Sequence, residues 1–235
     1  GGSVAFMALL ARILGFSKRT AHTLMLISGL SNTSFVGFPL VASYFGAEYI
    51  KLAIISDQMT FFLLSSVGIV IAIRGQLGAK KKMDFGYMGK RLFTFPPLIA
   101  CVVALTVPRL IDITVLNPFF TQLAATVSPI ALFSIGMQLS FSNLKRESPM
   151  IMWSLAYKLL LAPLFVIAVA YSLGLQGDAI RVASFEMAMP SLVATSMVLQ
   201  QFKLNTGLGN AIIGISILLG LISSFFMHQL ILLLL

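Results

Sequence analysis

The sequence consists mainly of long apolar stretches that are separated by short polar gaps. Of its 235 residues, 58% are hydrophobic and 10% are charged, whereas soluble domains carry about 25% charged residues. A folded soluble protein cannot bury this much apolar surface, so lipid must cover part of it. We therefore predict an all-α polytopic membrane protein.

Eight apolar segments are predicted to be helices, and we letter them A to H. Their ranges are 4–16, 21–45, 49–73, 92–111, 117–141, 149–173, 178–202 and 207–235. Segment A has about 13 residues, whereas a bilayer span needs about 20, and the chain begins with Gly1 rather than methionine. We expect the chain to lack the front of a longer protein.

The basic residues are sorted between the two ends of the predicted helices. Of the 16 Lys and Arg residues, twelve lie in connections on one side, three on the other, and Lys158 lies inside segment F. Cytoplasmic connections carry an excess of Lys and Arg, so the C-terminus is predicted to lie outside. The net charge of +9 does not indicate a nucleic-acid partner, since no basic stripe interleaved with aromatic residues appears. The basic cytoplasmic loop, residues 74–91, divides the chain into residues 1–73 and 92–235.

Segments B and G each contain polar residues and a proline in mid-span. Segment B reads Ser-Asn-Thr-Ser-Phe-Val-Gly-Phe-Pro over residues 31–39, and segment G reads Glu-Met-Ala-Met-Pro-Ser over residues 186–191. Proline removes a backbone hydrogen bond and kinks or opens a helix. Broken helices at matching places in two halves indicate a transporter's binding site, whereas an ordinary structural kink in each helix is the alternative. Each broken segment is followed by one ordinary helix, a pattern that fits two five-helix repeats of opposite topology.

The interruptions and the ionisable groups at mid-span define a candidate site. The candidates for substrate binding are Asn32, Thr33, Ser34, Gly37, Pro39, Lys158, Met189, Pro190 and Ser191. Asp57 and Glu186 are candidates for binding a coupling proton or sodium ion. At 1.5 Å of rise per residue, both acids and Lys158 lie near the middle of a core about 30 Å thick. Ionisable groups are costly at that depth and are by default functional.

Structural roles are alternatives for the same groups. Lys158 and Glu186 are also explained by a buried ion pair between F and G, and Asp57 by a hydrogen bond with Gln58. The sequence has no H-E-x-x-H, G-x-S-x-G or paired-aspartate motif, and Cys101 is its single cysteine. We therefore predict no catalytic residue, metal or cofactor, and an intramembrane enzyme is a remote alternative.

The run Asn-Thr-Ser-Phe-Val-Gly-Phe-Pro-Leu at residues 32–40, followed by Gly46, resembles the auxin efflux carrier family of membrane transport proteins. Residues 128–137 resemble the family's seventh helix, and residues 189–190 its ninth. Bacterial members include proteins assigned as malate and malonate permeases. The resemblance implies ten helices in two inverted repeats of five, with crossed, broken fourth and ninth helices, as in bile-acid symporters and sodium–proton antiporters. A homodimer is a further expectation from the resemblance alone.

These features predict a secondary transporter that moves a small organic anion, such as a carboxylate, across the inner or plasma membrane by alternating access. Helix N-termini at the midplane attract anions, and Lys158 supplies a full positive charge at that depth. A cation–proton antiporter on the same fold is the alternative. Such sites usually hold paired acids close together, whereas Asp57 and Glu186 lie on separate predicted helices.

Overall fold

The computed structural model describes residues 1–76, 96–138 and 144–235, together with the single positions 86, 90, 93 and 94. The regular structure of these residues is helical, apart from one isolated β-bridge. The α-helices, numbered α1 to α12 along the chain, are Gly2–Ile13, Lys18–Gly29, Phe38–Tyr44, Ile50–Leu63, Ile69–Gln76, Pro96–Leu110, Asn117–Gln138, Leu144–Ala156, Ala162–Ser172, Asp178–Met187, Thr195–Gln201 and Thr206–Leu234. Most of the predicted basic loop and the end of predicted segment E lie outside the described residues.

Three short π-helical stretches, which we call π-turns, lie within predicted segments B, C and F. They are Thr33–Gly37 before α3, Leu64–Gly68 between α4 and α5, and Tyr157–Leu161 between α8 and α9. Predicted segments C and F are therefore each one long helical run with a π-turn inside. Such turns occur frequently at functional sites, and two of these three carry candidate site residues.

Every predicted segment contains a helix, and the boundaries differ by a few residues. The largest difference is at segment F, where α8 begins at Leu144 rather than at Pro149. Lys145 and Arg146 thus lie in the first turn of a helix and not in the connection before it. Lys and Arg are good helix formers, and Pro149 lies inside the helix as its sixth residue.

Within the described residues, three helical runs are long and apolar enough to cross a bilayer. They are Ala47–Gln76, Glu147–Ser172 and Thr206–Leu234. Large apolar side chains face outward on these runs, and Phe165 is 70% exposed, whereas Lys158 is fully buried. This distribution is the one expected when hydrocarbon rather than water surrounds the protein.

Two clusters of buried apolar side chains lie on either side of the interruptions in B and G. The first cluster includes Leu24 of α2 and Leu199 of α11, and the second includes Val41 of α3 and Phe185 of α10. Helix α12 contributes to both clusters. The first half of B therefore packs with the second half of G, and the second half of B with the first half of G, so the two segments cross in opposite directions.

Candidate functional site

Segment B is interrupted at residues 30–32, where the polar run begins. Helix α2 ends at Gly29, and Leu30 is extended, with φ −119° and ψ 133°. The side-chain Oδ1 of Asn32 then accepts a hydrogen bond from the Phe35 amide at 3.2 Å and begins the next helical stretch. Ser and Asn side chains compete with helical hydrogen bonds in this way, which explains why the helix opens here.

The break in B therefore precedes Pro39, and the helix does not open at this proline, whereas the α-helical part of the second half, α3, begins beside it at Phe38. The second half begins at Thr33, and Pro39 lies exposed in the first turn of α3, where a missing amide hydrogen is tolerated. In G the break includes the proline. Pro190 lies between the end of α10 at Met187 and the start of α11 at Thr195.

The two interruptions hydrogen-bond to each other through their backbones. The Asn32 amide donates to the Pro190 carbonyl oxygen at 2.7 Å, and the Leu192 amide donates to the Leu30 carbonyl oxygen at 3.0 Å. We call this antiparallel contact of residues 30–32 with residues 190–192 the crossover. Backbone groups released from helices inside a bilayer need protein partners, and each broken segment supplies them to the other.

Helix α12 supports the crossover from one side. The Ser216 hydroxyl accepts a hydrogen bond from the Ser191 amide at 3.1 Å. The Pro190 ring packs against Gly220, where an added Cβ would lie 3.1 Å from the ring carbons. Sequence analysis did not find these two partners, since a lone serine or glycine in an apolar helix gives no signal of its own.

Lys158 joins segment F to both broken segments. Its side chain leaves the π-turn Tyr157–Leu161 and is fully buried. The ammonium group donates to the Ser31 hydroxyl at 2.5 Å and to the Met187 carbonyl oxygen at 3.1 Å. Ser31 is a site residue that sequence analysis did not include, although it begins the same polar run.

The carboxyl group of Glu186 is buried beside the crossover without a hydrogen-bond partner in the described part of the chain. The side chain is 1% exposed, and neither oxygen is hydrogen-bonded. It packs on Gly37, where an added Cβ would lie 2.7 Å from Oε1. The predicted alternative of an ion pair between Lys158 and Glu186 is not found. Among the described residues, the salt bridge that forms joins Arg181 to Asp178. The lysine still lies near enough to attract the carboxylate.

Asp57 lies on α4 and is held by segment B. It is 7% exposed and accepts a hydrogen bond from the Thr33 hydroxyl at 2.7 Å. Gln58 is exposed, and the predicted alternative of an Asp57–Gln58 hydrogen bond is not found. The carboxylates of Asp57 and Glu186 are near enough to repel each other, so the fold brings together two acids that the sequence places on separate helices.

Other candidates surround these charged groups. Asn32 Nδ2 and the Ser191 hydroxyl are buried without a partner in the described residues, as is the hydroxyl of Thr195, which sequence analysis missed. Met189 is buried, and Ser34 is half-buried. The crossover is thus a closed site that combines one ammonium group, two carboxyl groups and unpaired donors.

A larger cavity of about 620 Å³ lies away from these polar atoms, between segments F and H. Its walls are almost entirely apolar, and it includes Leu159, the residue after Lys158.

The described residues contain no group of three or more His, Cys, Asp or Glu side chains placed to hold a metal ion. The groups that the crossover presents in the described residues are an ammonium group, two carboxyl groups and hydrogen-bonding hydroxyl and amide groups.

Comparisons with known proteins agree with a membrane carrier. Residues 1–228 match the family described as "Membrane transport protein". An "Uncharacterized transporter" of Methanothermobacter thermautotrophicus is 27% identical over 228 residues, covering 94% of this chain and 71% of the relative. The "Uncharacterized transporter MJ1031" of Methanocaldococcus jannaschii is 26% identical over 204 residues, 81% of this chain and 63% of the relative. The chain belongs to the membrane transport protein family, that of the auxin efflux carriers.

Proposed function

We propose that this protein is a secondary transporter that moves a small organic anion by alternating access around the crossover. The observation that carries the proposal is the buried ammonium group of Lys158, which bonds to both broken segments. A buried charge is costly unless it is paired or used. Family membership and the transporter names of the relatives support membrane transport in general.

The proposed anion is held by Lys158 and by donors that have no partner in the described residues. Asn32 Nδ2 offers an amide donor, and Ser191 offers a hydroxyl. Each is close along the chain to a crossover hydrogen bond, so each is fixed to a rigid backbone. A carboxylate matches this set, since it accepts several hydrogen bonds and carries the complementary charge.

The proposed architecture is a ten-helix fold of two inverted five-helix repeats, of which residues 1–73 and 92–235 are parts. The antiparallel crossing of B and G supports it, since inverted repeats give their equivalent helices opposite directions. Each broken segment is followed by an unbroken spanning run, Ala47–Gln76 after B and Thr206–Leu234 after G.

The charge distribution further supports a C-terminus outside the cytoplasmic membrane. A reporter enzyme that is active on one side of the membrane only, fused to the C-terminus, would test this orientation. The homodimer stays a prediction, and a mass measurement in detergent would test it.

Asp57 and Glu186 are the proposed sites for a coupling proton or sodium ion. Glu186 has no hydrogen-bond partner in the described residues, and a buried carboxylate needs a proton or a cation to offset its charge. Binding of either would also relieve the repulsion between the two acids. An uncoupled anion carrier is the alternative within this proposal, because a negative-inside potential favours anion exit by about 2.3 kcal/mol per charge per 100 mV.

A second candidate function is cation–proton antiport. The proximity of Asp57 and Glu186 favours it, since paired acids are what a cation site needs. Lys158 argues against it, because a fixed ammonium group near Glu186 repels a cation bound by that carboxyl group. The organic-anion proposal explains Lys158 and the unpaired donors together, and we therefore prefer it.

The decisive experiment is transport by the natural full-length protein in proteoliposomes. Labelled monocarboxylates and dicarboxylates are compared with sodium and potassium ions, each with and without a pH gradient. Uptake of an organic acid that other organic acids inhibit is the expected result. Transport of cations with no uptake or competition by organic acids would replace the anion proposal with antiport.

A further inference from the structure

Four ring side chains form a cluster on one side of the crossover. Tyr44 and Phe45 lie at the end of α3, Phe185 on α10 and His228 on α12. The His228 ring lies 4.6 Å from the Tyr44 ring and 5.0 Å from the Phe45 ring, centre to centre. The Phe185 ring lies 5.5 Å from Tyr44, 5.2 Å from Phe45 and 6.1 Å from His228. We call these four residues the ring cluster.

The ring cluster lies between the crossover and the membrane face at which α3 ends. Phe185 is fully buried and directly precedes Glu186, whereas Tyr44 and Phe45 are half-buried at the end of the second half of B. The rings thus extend from the partly exposed end of α3 to Phe185, the residue before the buried Glu186. The charge distribution predicts this face to be the outer one.

The opposite side of the crossover contains buried hydrogen-bonded polar pairs beside apolar side chains such as Phe202. The Ser196 hydroxyl donates to Asn210 Oδ1 at 2.7 Å, and the Asn205 amide donates to the Thr23 hydroxyl at 3.1 Å. Ser196 lies on α11 and Asn210 on α12. Asn205 lies just before α12, and Thr23 lies on α2. A polar solute at the crossover therefore has hydroxyl and amide groups within the layer on this side, whereas the four rings of the ring cluster contact one another on the other side.

We propose that the ring cluster is the outer gate of the crossover site, closed in this structure. The inference rests on the proposed transport function. Aromatic edge-to-face packing links the ends of three helices, so a route to Glu186 opens only when α3 moves away from α10 and α12. The cluster closes the route because it excludes water from the buried carboxyl group.

His228 has a specific role in this gate. It is 7% exposed, and its Nδ1 has no partner in the described residues. A buried nitrogen without a hydrogen bond is unfavourable, and water satisfies it once the rings separate. The histidine therefore packs with the other three rings when the gate is closed and binds water when the gate opens. A phenylalanine would pack in the same place but could not bind water.

Cysteine labelling tests the gate without any substrate. The reporter is Ser184→Cys, next to Phe185 and 1% exposed, in a Cys101→Ser background of the natural full-length protein. An impermeant maleimide is applied to intact cells and, separately, to inverted vesicles, so that either orientation is covered. The labelling rate does not depend on a transported substrate, so a negative transport assay would not change it. A negative labelling result would likewise leave the transport assay unaffected.

We expect Tyr44→Ala and His228→Ala to label about tenfold faster from one face, because losing ring contacts shifts the closed–open equilibrium by about that factor. His228→Phe should label no faster than the parent. Phe165→Ala, which removes a ring exposed on α9, is the matched control and should leave the rate unchanged. A second reporter, Ser28→Cys on α2, is 1% exposed on the opposite side of the crossover and should stay unlabelled, since only global unfolding exposes both reporters. Parent-like labelling of both alanine variants, or fast labelling of His228→Phe, would overturn the gate.

Discussion

The backbone amide of Asn32 donates to the carbonyl oxygen of Pro190 across 158 positions of sequence, at 2.7 Å. Proline cannot donate a backbone hydrogen bond, and its ring breaks the helix so that its own carbonyl is available. The polar run of segment B supplies the amide that this carbonyl needs. Two helices broken for different local reasons thus satisfy each other, and the functional groups gather where they meet.

We predict that Lys158→Met abolishes anion transport while the protein still folds. An interaction with a charged group in a buried site is worth about 3 kcal/mol, so uptake should fall at least about 100-fold. The change removes the cost of burying a charge, but it leaves the Ser31 hydroxyl and the Met187 carbonyl oxygen without the lysine donor, which costs about 1–3 kcal/mol for each group, so the melting temperature should fall moderately. Uptake in proteoliposomes and the melting temperature in detergent measure the two effects.

The matched control for this change is Lys51→Met, which alters an exposed lysine at the start of α4. It should leave uptake close to that of the parent. Uptake by Lys158→Met at the control rate would show that the ammonium group does not bind the anion. Lys158 would then be a structural link between segment F and the crossover.

We predict that Gly37→Ala destabilises the protein through Glu186. The new Cβ would lie 2.7 Å from Oε1 and 2.9 Å from Cδ of that carboxyl group, closer than atoms can pack. Overpacking of this kind costs about 1–3 kcal/mol, so the melting temperature in detergent should fall. Adding Glu186→Asp, which shortens the side chain, should restore part of the loss.

Gly207→Ala is the control, because the added Cβ on α12 has no neighbour within 4 Å. Alanine is a better helix former than glycine by about 1 kcal/mol, so this variant should be as stable as the parent or more so. If Gly37→Ala proved equally harmless, the carboxyl group would not occupy the position described here.

The course of the helices follows from local patterns, whereas the site depends on contacts that no local pattern contains. Apolar length predicts every helical segment, and Pro190 predicts the break in G. Pro39 misleads, because a proline in the first turn of a helix needs no break, and the hydroxyl and amide groups of residues 31–34 open the chain earlier. The proximity of Asp57 to Glu186 depends on how α4 packs against the broken segments, which sequence periodicity does not specify.

We predict that Ser216→Ala weakens the crossover. The serine hydroxyl is the acceptor for the Ser191 amide, and a buried amide left without an acceptor costs about 1–3 kcal/mol. Amide hydrogen exchange at Ser191 should become faster, and the melting temperature should fall. Ser223→Ala is the control, since within the described residues its hydroxyl donates to the Gly220 carbonyl oxygen of its own helix. Equal effects of the two substitutions would mean that the Ser216 contact does not stabilise the crossover.

We predict that Asp57→Asn and Glu186→Gln each remove the dependence of transport on an ion gradient. The amides keep the shape of the side chains and cannot exchange a proton or neutralise a sodium ion. Uptake by each variant is measured with and without a pH gradient and with and without sodium. The control is Glu48→Gln, which changes an exposed acid in the turn before α4 and should keep the parent's coupling. If both buried variants respond to the gradients as the control does, neither carboxyl group is a coupling site. The membrane potential acting on the anion would then be the remaining driving force.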